Sequence, residues 1–141
     1  MDVPACAVGQ LGPEGPWLGF APTLDDGYAL VVGGRNGSRR ADADADLLLG
    51  IAIAYFEESI EAPPDDLAAT HADIGALVRH LAEVESDMTR RGLLAEAVDA
   101  VDDGLAPDVV IARLAAAMSP EASGDPVGRV LERARAIARD D

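Results

Sequence analysis

A chain of 141 residues with a net charge of −15 and one cysteine is long enough to bury its own core without a disulfide or metal staple. That charge disfavours autonomous binding to nucleic acid and docking on anionic membranes, and the lone Cys6 excludes an intramolecular disulfide. All eleven cations are arginine and the only side-chain amides are Gln10 and Asn36, a bias that implies a GC-rich bacterial source.

Residues 1–40 are punctuated by Gly9, Gly12, Pro13, Gly15, Pro16, Gly19 and Pro22, which forbid a continuous helix. Two apolar stretches, Trp17–Ala21 and Tyr28–Val32, flank Asp25-Asp26-Gly27. Asp-Gly between apolar runs is a hairpin signal, because glycine tolerates the positive φ such turns require. The competing reading is a short helix from Asp25 to Val32 capped by Thr23; extended structure is preferred. Gly33 to Ser38 reads as a flexible link. The start of the chain shows no basic region followed by an apolar core, so no signal peptide is expected, and the expected compartment is the cytoplasm.

From Asp42 onward the pattern is helical. Asp42, Asp44 and Asp46 supply negative charge where a helix N-terminus favours it. The segment Leu47–Ile60 is apolar nearly all round before it turns acidic at Glu57, Glu58 and Glu61, as suits a helix central to a core. Pro63-Pro64 ends it. A second helix starts at Asp65 or Asp66, with Leu67, Ile74, Leu81 and Met88 every seven residues and Thr70, Leu77 and Val84 between them. This stripe predicts a bundle helix facing its neighbours, or the seam of a dimer. Arg90-Arg91-Gly92 reads as its C-terminus.

A third helix is expected over Leu93–Asp103, followed by a turn at Gly104–Pro107. Pro107 then opens a fourth helix carrying Val110, Ile111, Leu114 and Met118. Ser119–Gly124 reads as a loop before a last helix, Pro126–Arg139, that carries Arg129, Arg133, Arg135 and Arg139. The expected architecture is all-α: a five-helix acidic bundle over residues 41–141, with residues 1–40 as a Gly/Pro-rich arm or small hairpin.

The sequence holds no strong catalytic motif. The spacing of Asp42, Asp44 and Asp46 resembles the start of a calcium loop, but Leu47 and Ile53 stand where the loop needs Gly and Glu. His71 and His80 lie nine residues apart, on opposite faces of a helix, and cannot share a metal within one chain. Leu93–Met118 has the spacing of a DNA-binding helix–turn–helix, yet Arg113 is the only cation of its second helix and Asp102, Asp103 and Asp108 would face phosphate. Neither a P-loop nor a nucleophile elbow is present, and no cofactor or metal is expected.

Two functional expectations follow. The first is a non-catalytic interaction module, an accessory subunit of a bacterial enzyme or a self-associating unit, with Trp17, Phe20, Leu47 and Leu81 as partner contacts. The second is a small cofactor-independent enzyme or small-molecule binder using His71, His80 or Glu57 as acid or base. A pocket joining a histidine to a buried carboxylate favours the second; solvent-facing histidines favour the first.

Overall fold

The computed structural model describes residues 6–11, 16–23, 27–34, 37–57 and 68–139. These form four strands, β1 (Cys6–Gln10), β2 (Trp17–Pro22), β3 (Tyr28–Gly34) and β4 (Gly37–Asp42), followed by six helices. The helices are α1 (Ala45–Glu57), α2 (His71–Val84), α3 (Met88–Asp102), α4 (Pro107–Ala116), the single-turn α5 (Pro120–Ser123) and α6 (Pro126–Arg139). The fold is mixed α and β, which corrects the all-α expectation.

The strands form one antiparallel sheet in the order β1-β2-β3-β4. The expected hairpin is its centre, with Trp17 opposite Gly33 and Pro22 opposite Tyr28. Its two flanking strands escaped the sequence reading for separate reasons. In β1 the register shifts between Ala7 and Gly9, so the simple alternation of a strand is lost there. The β4 sequence is polar and starts with glycine, which reads as a link, but it is an edge strand with Gly37 opposite Gly34 and Arg40 opposite Val31. The free edge of β1 is covered in turn: Ala7 bridges to Ala68, and the Ala69 amide donates to the Ala7 carbonyl at 2.9 Å.

Cross-strand pairing assigns the faces, because directly opposed residues point the same way. Cys6, Phe20, Leu30 and Ala41 share one face, which packs on the helices; Ala7, Gly19, Val31 and Arg40 share the other. Val8, Leu18, Phe20, Leu30 and Val32 join the buried side chains of all the long helices in one continuous core.

α1 starts where the Asp44 carboxylate accepts the Leu47 amide at 2.8 Å, so one of the three aspartates at this end is its cap. Leu48, Leu49, Ile51, Ala52, Ile53 and Ala54 are all buried, and α1 packs on α2, α4, α6 and strands β1 to β3. Gly50 is the close approach to α6: a methyl group there would lie 2.6 Å from Val130 Cγ2 and 2.9 Å from the Pro126 carbonyl oxygen.

The long second helix expected from the heptad stripe is two helices. Its proposed start at Asp65 or Asp66 lies outside the described residues. α2 begins after Thr70, whose hydroxyl accepts the Asp73 amide at 3.2 Å while the Asp73 carboxylate accepts the Thr70 amide at 2.9 Å. At the far end Glu85-Ser86-Asp87 interrupts the chain, and the Asp87 carboxylate accepts the Arg90 amide at 3.3 Å to start α3. Arg90-Arg91-Gly92 is therefore the first turn of a helix and not the end of one. The remaining elements follow the sequence closely. Gly104, at φ 66°, closes the turn after α3, Pro107 opens α4, and only α5 occupies what reads as loop.

Arg90 explains why the break is held. Its guanidinium pairs with Asp46 at 2.6 Å and donates to the Ala117 carbonyl at 2.8 Å, while Asp46 also accepts the Ser119 hydroxyl at 2.8 Å and the Ser119 amide at 3.2 Å. Only 26% of the Arg90 side chain and 22% of Asp46 are exposed, so this network ties α1, α3 and the end of α4 in a medium of lowered dielectric. Asp46→Ala is expected to lower the unfolding free energy by about 2 kcal/mol, since it removes the shortest ion pair of a mostly buried cation and leaves the Ser119 amide and hydroxyl without their acceptor. Arg79→Ala, which breaks an ion pair whose partners are 53% and 49% exposed, is expected to cost less than about 1 kcal/mol. Urea unfolding midpoints of the two variants check the ranking.

Candidate functional site

The titratable side chains singled out in the sequence fall into two separate places. His71, the first residue of α2, is exposed and bonds the Tyr55 hydroxyl through Nδ1 at 2.9 Å. Its ring also meets Tyr55 and Phe56 edge-on, with centroids 5.5 and 5.4 Å away. Glu57 ends α1 and is exposed; Glu58 and Glu61 lie outside the described residues.

His80 is two turns further along α2 and half-buried, with its ring 5.3 Å from Tyr28 at an interplanar angle of 65°. Tyr28 in turn meets Phe20 edge-on at 5.9 Å. The hairpin end and the second half of α2 thus enclose an open groove of about 580 Å³, lined by Pro22, Thr23, Gly27, Tyr28, His80, Glu83 and Val84. Thr23 shapes its rim by accepting the Gly27 amide at 3.1 Å. Among the described residues no cationic side chain lines it.

Near Tyr28 sit two residues the sequence reading did not join. Asp73 lies seven residues before His80 and so on the same face of α2. Its carboxylate accepts the Thr70 amide and hydroxyl and also the Cys6 thiol from β1. Burial, the nearby Asp73 charge and that hydrogen bond push the Cys6 thiol from 9.0 up to about 11. Burial, with Cys6 and Asp73 nearby, raises the Tyr28 phenol too. Cys6 is thus held as a thiol at neutral pH, the opposite of what a nucleophilic cysteine requires. The Thr70-x-x-Asp73 spacing was readable as a capping box; the approach of Cys6 depended on a sheet order that no local pattern declares.

A second open groove, about 510 Å³, lies beside α6 and is lined by Asp44, Leu47, Arg129, Glu132, Arg133 and Ala136. Of the four residues named as partner contacts, Leu47 lines this groove and is half-buried. Trp17 is also half-buried, its indole lying against Gly33. Phe20 and Leu81 are core residues, 2% and 5% exposed. An aspartate at Leu81 would therefore report on folding before it reported on association.

The apolar side chains that do reach solvent are others. Val84 at the end of α2 is 62% exposed and Met88 at the start of α3 is 77% exposed, while Leu105 and Val109 are partly exposed around the next turn. Among the described residues no polar or charged side chain is buried, and no three of His, Cys, Asp and Glu are grouped to hold a metal ion. No described helix is long and apolar enough to cross a membrane. Comparison with family models, with curated proteins and with solved structures gave no match.

The Cys6 environment has a measurable signature. Alkylation by iodoacetamide is expected to climb steadily toward pH 11, without the plateau near neutrality of an activated thiolate; Asp73→Asn is expected to shift the profile to lower pH. Stability follows the same group. Below pH 9 both folded and unfolded chains hold the proton, whereas between pH 9 and about 11 only the unfolded chain ionises. Cys6 thus favours unfolding as pH rises through that window, and Cys6→Ala is expected to flatten this part of the stability profile.

Proposed function

We propose that this protein is a non-catalytic interaction module whose contact surface is the elbow between α2 and α3. The observation that carries this reading is the exposure of Val84 and Met88, large apolar side chains on either side of Glu85-Ser86-Asp87. Both continue the heptad stripe whose inner members, Ile74, Leu77 and Leu81, are buried. The stripe runs out of core at the elbow, and an apolar pair left in water is stabilised by a partner that covers it. Glu83, Glu85 and Asp87 give the pair an acidic rim, the arrangement of an apolar contact centre with a polar border.

The chemistry of the histidines supports the same choice. His71 faces solvent, His80 opens onto a shallow groove, and no carboxylate among the described residues is buried beside either. In this reading the chain works in the cytoplasm of a bacterium as an accessory subunit or self-associating unit, using neither cofactor nor metal.

Native mass spectrometry of the affinity-purified protein from its host is the test. The expected result is a second protein at fixed stoichiometry, or a defined homo-oligomer, that is lost in a Val84→Ser, Met88→Ser variant with an unchanged unfolding midpoint. An assembly that survives both substitutions, or a monomer carrying a small molecule, would overturn the reading.

A further inference from the structure

The elbow does not end at its apolar pair. Val84 belongs to two surfaces at once: it is exposed beside the α2–α3 break, and it forms one wall of the groove that continues to Tyr28 and Pro22. A segment lying on Val84 and Met88 therefore has the groove within reach of its next side chain.

The lining states what that side chain is. Glu83 brings a carboxylate, and among the described residues it has neither ion pair nor hydrogen bond. Its neighbours on the same rim differ: Glu85 accepts the Asp87 amide at 3.1 Å and sits 3.6 Å from Arg90 Nε, and Asp87 caps α3. Glu83 is the acid of the elbow with its charge still uncommitted. Tyr28 of β3 lines the same groove, and His80, one turn before Glu83 on α2, meets it edge to face, an arrangement that leaves the faces of one ring uncovered by the other. Arg40 reaches the Pro22 carbonyl at 3.3 Å and does not line the groove.

A carboxylate beside aromatic faces, with no arginine among the described residues lining the groove, fits a planar guanidinium. Such a group stacks on an aromatic ring while its paired N–H donors meet both carboxylate oxygens, and it is less strongly hydrated than an ammonium. We infer that the Tyr28–His80–Glu83 groove receives an arginine side chain of the protein segment that docks on Val84 and Met88. This rests on the interaction reading above and adds the partner's chemistry: a basic segment with apolar residues flanking at least one arginine. The net charge of −15 gives the encounter its long-range attraction, and the groove gives it specificity.

The probe is a fluorescently labelled amphipathic peptide of leucine and arginine, titrated at physiological ionic strength with the full chain and its variants. Glu83→Gln and Tyr28→Leu are each expected to weaken binding by about fivefold, and the same peptide with lysine for arginine to bind more weakly to the wild type. Glu121→Gln, the same charge change on exposed α5, is expected to matter by less than about twofold. Far-UV circular dichroism and urea midpoints establish that each variant folds. Equal effects of Glu83→Gln and Glu121→Gln, or equal affinity for the two peptides, would overturn the groove assignment; the docking reading survives this if Val84→Ser, Met88→Ser still weakens binding. The converse, an elbow variant that binds normally while Glu83→Gln does not, removes the docking reading. Agmatine binding as tightly as the peptide would assign the groove to a small free guanidine and overturn its role in docking.

Discussion

One constraint organises the molecule: α1 is apolar around its whole circumference and cannot lie on a surface. A helix with a single apolar stripe is content with one neighbour. Here eight of thirteen positions are buried, so the helix must be enclosed. The sheet supplies one wall and α2, α4 and α6 the others. The helix is also short of bulk on one side, where Gly50 lets the backbone of α6 come close. Each remaining element is placed by the need to close this sleeve.

Enclosure leaves the polar groups little room inside, and they collect where elements meet. Asp46 at the start of α1 gathers Arg90 and Ser119, and Asp73 at the start of α2 gathers Thr70 and Cys6. Both carboxylates lie in the first turn of a helix, where the axial dipole favours negative charge. They serve as joints between a helix end and distant chain. The elbow between α2 and α3 belongs with these joints, because its sharp break is held from below by Arg90 and leaves Val84 and Met88 on the outside.

The legible part of this fold was written in strong local signals. Proline and glycine placed the α3–α4 turn and the start of α4, the amphipathic pattern marked α6 to its last turn, and the central hairpin announced itself through two apolar runs about Asp-Gly. The flanking strands had no such signal: β1 is bulged, and β4 is a polar edge whose pairing is decided by β3. The heptad stripe misled in an instructive way. Its spacing is real through Leu81, yet Asp87 is a better cap than a helix interior residue, and local capping overrode periodicity. The histidines were visible, but their ring partners Tyr55, Phe56 and Tyr28 come from elsewhere in the chain. Sequence spacing said that the two could not share a site and left open what each would meet.

The pairing of α1 with α6 also sets an order of events during synthesis. The sheet is a meander of adjacent strands, so it can form as soon as its residues leave the ribosome. The most apolar helix follows directly, but the surface around Gly50 closes only on Pro126 and Val130, near the end of the described chain. Until α6 has emerged the nascent protein therefore carries an open hydrophobic slot, the kind of transient surface that chaperones hold and that aggregates in their absence. The strong negative charge spread along the intervening helices keeps such half-made chains apart, a service to biogenesis that the finished structure no longer displays.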